Sequence, residues 1–140
     1  MKKIANLLFE AKMLKEIPRS GFHFLGSGQE SVAEHTFSTT FIAYVLAQLQ
    51  PDIDALKLMS MCLVHDLPEA RIGDLNTVQK TYVTADETKA LEHTTADLPF
   101  GSAITALIEE FNQNSSIEAK LAHDADQIAL ILELKYLSDT

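Results

Sequence analysis

Apolar residues recur at helical spacing from Ile117 to Leu137, about six turns with no glycine or proline to break them. A run of that length excludes a strand and predicts a long amphipathic helix, with Ser115 and Glu118 as its capping signature. Upstream, Ile4, Leu7, Leu8, Ala11, Leu14 and Ile17 keep the same period until Pro18 ends it. Ser31 and Glu34 form a capping box at the head of a second helix, SVAEHTFSTTFIAYVLAQLQ. Pro51 and Asp52 restart the chain for a third helix over 52–71, which Gly73 stops. Thr84 and Glu87 cap a shorter helix within TYVTADETKALEHTTADL, and SAITALIEEF forms another. No alternating run of useful length and no internal repeat occurs. The expectation is an all-α bundle of five to six helices forming a single domain over 1–140. Between the first two helices, PRSGFHFLGSGQE is long for a connection in so small a protein, which implies a function or an anchor in its aromatic residues.

Charge narrows the function. Eleven basic against 20 acidic residues give a formal net charge of -9, which argues against a nucleic-acid surface or a basic membrane-binding helix. No apolar span of 18 residues occurs, and Glu10, Lys12, Lys15 and Glu16 interrupt the N-terminal apolar run that would otherwise resemble a leader. A cytoplasmic location is expected. Cys62, the single cysteine, excludes an internal disulfide and reads as a small core residue. A mean hydropathy of +0.03 on long apolar helices suggests that some helix surface is covered by a partner subunit.

Against this background, polar side chains inside the helices are the informative feature. His35 follows Glu34 in the second helix, His65-Asp66 sits where another apolar turn is due, and Asp126 interrupts LAHDADQIALIL. Burying such groups is costly unless something pairs with them. Two imidazoles and two carboxylates from three helices make a reasonable centre for a divalent cation such as manganese, iron, cobalt, nickel or zinc. His65 and Glu69 are four residues apart, one helical turn, which would place a proton-accepting carboxylate beside a metal held by His65. Each residue alone also has a structural reading. His35 suits a hydrogen-bonded surface or core position, His65-Asp66 a helix boundary, Glu69 a salt bridge to Arg71 or a helix-terminal charge, Asp74 a turn after Gly73, and Arg19 a solvated loop. Periodicity does not separate Asp126 from Asp124. His23, His93 and His123 have no partners in the pattern and read as structural.

Three stretches, LKEIPRSGF, ESVAEH and HDLPEARIGD, together with DADQIALIL, resemble the HD-domain metal-dependent phosphohydrolases. The similarity is greatest to the branch of small 5'-deoxynucleotidases and extends over about residues 4 to 137. That resemblance implies an HD-domain helical bundle with one divalent metal ion held by His35, His65, Asp66 and Asp126. It implies that Arg19 holds the 5'-phosphate, that Glu69 orients or activates the attacking water, and that Asp74 lies near the sugar hydroxyl. The implied reaction is removal of the 5'-phosphate from deoxynucleoside monophosphates by a metal-activated water, in a homodimer. Other small phosphoesters, such as a nucleoside triphosphate or guanosine tetraphosphate, and a non-catalytic metal-binding module are the alternatives. The scarcity of basic residues favours one phosphate over several. Phe22 stands where the branch often has tryptophan, and relatives commonly continue beyond the position of Thr140.

Overall fold

The computed structural model describes residues 1–139 and is helical throughout, apart from one isolated antiparallel bridge between Pro18 and Ser31. In chain order the helices are α1 (Lys2–Met13, followed by a 3-10 turn), α2 (Gly21–Leu25), α3 (Val32–Leu49) and α4 (Ala55–Val64), then α5 (Glu69–Ile72), α6 (Thr77–Tyr82), α7 (Glu87–Thr95), α8 (Gly101–Gln113) and α9 (Ile117–Asp139). The all-α class therefore stands, but the expected count of five to six helices is too low.

Two causes account for the excess. Residues 52–71 do not form one helix, because Pro68 has no N–H to return to the carbonyl of Val64 and the ladder is interrupted after His65. The chain instead turns into α5 through tight bonds from Glu69 N to Asp66 O and from Ala70 N to Leu67 O. Short helices also form in the glycine-rich stretch expected to be a loop and in a stretch for which the sequence pattern predicted no element. One is α2; the other is α6, which starts on a capping box between Asn76 and Gln79.

Helix starts follow the expected chemistry with local shifts. The Ser31–Glu34 box forms, with Ser31 N–H donating to Glu34 Oε2 at 2.7 Å and Glu34 N–H to Ser31 Oγ at 3.1 Å. Elsewhere the cap moves by a residue or two. Asp86 rather than Thr84 caps α7, and Ser116 rather than Ser115 accepts the Ala119 N–H at the head of α9.

The chain divides into two compact units. One comprises residues 1–34 and 66–105, the other 35–65 together with 106 onward. In the first, Leu14, Phe22, Val32, Leu67, Leu91 and Leu98 are buried. Its 18–30 segment is closed at the base by Arg19 N–H to Glu30 O at 2.9 Å and Val32 N–H to Ile17 O at 2.8 Å, with Phe22 buried. In the second, α4 packs on α9, and Leu58, Met61 and Cys62 meet Phe111, Ala119, Ala122 and Ala125 in its core. No helix among the described residues is long and apolar enough to cross a membrane.

Candidate metal centre

The second unit places three polar side chains in its apolar interior. His35 comes from the second turn of α3 and is wholly buried; His65 caps the C-terminus of α4; Asp126 comes from the middle of α9. Asp126 Oδ1 lies 2.6 Å from His35 Nε2 and 3.5 Å from His65 Nε2, so one carboxylate oxygen faces both rings.

Neighbouring backbone fixes one ring. His65 Nδ1 is 2.7 Å from the carbonyl of Cys62. A carbonyl only accepts, so Nδ1 carries a proton there and Nε2 is the nitrogen that faces Asp126 and would bind a metal ion once deprotonated. Thr39 supports the other ring: its hydroxyl donates to the His35 carbonyl at 2.9 Å and sits 3.4 Å from His35 Nε2. His65 also packs on Phe111, with ring centroids 4.7 Å apart.

Burial pushes the Asp126 carboxyl towards protonation, but hydrogen bonds from His35 and His65, together with their charge, hold it well below the usual carboxylate range. It is an anion at neutral pH. Asp66, joined to His65 by a peptide bond, completes the set. One ligand atom from each of His35, His65, Asp66 and Asp126 lies within 4.8 Å of the others. Two imidazole nitrogens and two carboxylate oxygens at that spacing suit one divalent cation of the borderline class. The residues fit a metal ion.

An HD-domain family model matches residues 11–139. The chain belongs to the HD-domain family. It is 32% identical over 126 residues to the 5'-deoxynucleotidase HDDC2 of Danio rerio, covering 86% of this chain and 62% of that protein. The human protein of the same name is 29% identical over 132 residues, with coverage of 90% and 64%. This chain thus spans less than two thirds of the length of these curated relatives. Among solved structures, a conserved hypothetical protein from Pyrococcus furiosus superposes with a TM-score of 0.82 at 32% identity, covering 94% of this chain and 81% of that one. An HD domain carrying a clustered His/Asp site is consistent with metal-dependent phosphohydrolase chemistry in general.

The remaining sequence candidates lie in the first unit. Arg19 follows the Pro18 bridge, and its Nε is buried without a hydrogen bond, 3.8 Å from Glu30 Oε1. Glu69 opens α5 and lines a cleft of about 250 Å³ with Ile72, Leu75, Lys80 and Val83 among others. His65 and Glu69 are not successive turns of one helix, since the break at Pro68 intervenes. Of the two structural readings of Glu69, its place in the first turn of α5 fits the helix-terminal charge, whereas Arg71 pairs with Glu10 at 2.5 Å. Asp74 is engaged as well, its Oδ2 accepting the Ser20 N–H at 3.1 Å.

Sequence reasoning passed over Ser20, Asn76, Gln79 and Thr39. Only Asn76 and Gln79 carried a local signal, the N-x-x-Q capping pattern. Of the histidines set aside as structural, His123 stacks on Phe111 at 3.8 Å and reaches its carbonyl at 2.7 Å.

Proposed function

We propose that the chain hydrolyses the 5'-phosphate of deoxynucleoside monophosphates, with one divalent metal ion held by His35, His65, Asp66 and Asp126. The convergence of those four donors carries the reading. The substrate class rests on the similarity to proteins named 5'-deoxynucleotidases and on the resemblance of this chain's PRSG, ESVAEH and HD-x-x-E segments to that branch. When bound, the cation supplies Lewis-acid polarisation of a phosphoryl oxygen and a water of lowered pKa.

The protein's own residues do the rest. Arg19 binds the phosphate through its planar guanidinium, whose Nε is held beside the buried Glu30 carboxylate at 3.8 Å. Glu69 accepts the proton of the attacking water, and Asp74 meets the sugar hydroxyl. The bond between phosphorus and the 5'-oxygen breaks, and nucleoside and inorganic phosphate leave.

The HD-domain match takes in residues of both compact units, which supports reading 1–140 as one domain. The exposed aromatic row of Phe37, Phe41 and Tyr44 supports a homodimer.

Phosphate release from nucleoside mono-, di- and triphosphates is the test. Metal-stripped protein is supplied with manganese, cobalt, zinc or magnesium, and Asp66→Ala serves as control. Selective turnover of deoxynucleoside monophosphates by wild type alone is the expected result. A metal-loaded wild type that leaves the monophosphates intact overturns the assignment.

A further inference from the structure

Ser20 stands one residue beyond Arg19 and is 5% exposed. It occupies the N-cap position of α2, yet its side chain makes no capping bond there. The hydroxyl is diverted to a segment more than fifty residues away, where it donates to the Asp74 carbonyl at 2.5 Å. The same segment engages the rest of the residue. Ser20 N–H donates to Asp74 Oδ2 at 3.1 Å, and the Ser20 carbonyl accepts from Asn76 Nδ2 at 3.4 Å.

Gln79 Oε1 sits 3.4 Å from the hydroxyl and is itself oriented by the α6 capping box, accepting from Asn76 N–H at 3.0 Å. On the other flank, Arg19 N–H is tied to the Glu30 carbonyl at 2.9 Å. The backbone that carries Arg19 is therefore pinned on both sides. A guanidinium reads phosphate geometry only when its backbone is held to a fraction of an ångström.

We infer that Ser20 is a positioning residue for phosphate binding. It latches the Arg19 loop to residues 74–79, so that the seating of Arg19 depends on a hydroxyl that never touches substrate. The inference rests on the phosphohydrolase reading for what Arg19 binds, whereas the latch itself rests on the hydrogen bonds alone.

The test compares wild type, Ser20→Ala and Ser20→Thr in the metal-loaded 140-residue chain. Steady-state kinetics on a deoxynucleoside 5'-monophosphate are paired with calorimetric titration of inorganic phosphate. Ser20→Ala is expected to raise KM and the phosphate Kd about ten-fold, equivalent to about 1.4 kcal/mol, with kcat held within about two-fold. Ser20→Thr, which keeps the hydroxyl, is expected to stay within about two-fold of wild type in both. Unchanged phosphate affinity in Ser20→Ala overturns the proposal. So does a fall in kcat at constant KM, which would assign the hydroxyl to Asp74 alone, or an equal loss in Ser20→Thr. If wild type hydrolyses no monophosphate, the functional reading fails separately, and the phosphate titration still decides the latch. A wild type that binds no phosphate overturns the latch proposal too.

Discussion

Removing Asp126 should remove most of the thermal stabilisation that a bound metal ion would give this protein, and the size of the loss follows from the site. Asp126 Oδ1 faces both His35 Nε2 and His65 Nε2, at 2.6 and 3.5 Å, so Asp126→Ala removes one donor and the group that orients two others. Even outer-shell partners of metal ligands are worth about 10–100-fold in affinity, so a loss of about 100-fold is a conservative figure here. With metal at 100 times the wild-type Kd, the ion stabilises the folded state by about 2.7 kcal/mol. At a Kd 100-fold weaker, the same metal gives RT ln 2, about 0.4 kcal/mol.

For a chain of this length, one kcal/mol moves Tm by about 3–4 °C. A wild-type shift of about 8–11 °C on adding metal should therefore shrink to about 1–2 °C in Asp126→Ala. The metal-free variant should also melt below metal-free wild type, since the wholly buried His35 loses its carboxylate acceptor at a cost of about 1–3 kcal/mol. Asp124→Ala is the control, because Asp124 is exposed and its removal should leave the full shift. Scanning calorimetry in EDTA and in added manganese reads all three proteins. An Asp126→Ala protein that keeps most of the shift, or an Asp124→Ala protein that loses it, refutes the ligand set.

Two further outcomes test the local structure. Ser116 Oγ accepts the Ala119 N–H at 3.1 Å, so Ser116→Ala should cost about 0.5–2 kcal/mol in urea unfolding while Ser115→Ala costs little; the reverse order would restore Ser115 as the cap. Cys62 is fully buried, and burial, helped by the charge of Asp126, pushes its thiol up to about 12. It should resist a thiol reagent at neutral pH until denaturant is added, and modification of native protein at the denatured rate would contradict the packing.

The helical class, the Ser31 capping box and the candidacy of His35 and His65-Asp66 were legible because each leaves a mark within a few residues of itself: a period, a cap, or a charge in an apolar run; the choice of Asp126 over Asp124 came only from the family resemblance. The helix count was not legible, since apolar periodicity continues across 52–71 although the missing N–H of Pro68 interrupts the ladder there. The latch was invisible for another reason. Ser20 and Asp74 are 54 residues apart, and neither position departs from ordinary turn composition.

The choice between Asp124 and Asp126 shows why periodicity alone was blind at the most important position. The buried residues of α9 are Ala119, Ala122, Ala125 and Ala129, whereas its larger Ile131, Leu132 and Tyr136 are exposed. A pattern weighted by side-chain size therefore points to the wrong face. The alanines carry the information instead. Small residues at a helix contact set a short interaxial distance, and here they meet Leu58, Met61 and Cys62 of α4. His65 follows directly at the end of α4, and Asp126 lies on the alanine face, one turn beyond Ala122 and next to Ala125. The close packing that hides the buried face from a hydropathy reading is the same packing that brings a short aspartate within 3.5 Å of the His65 ring.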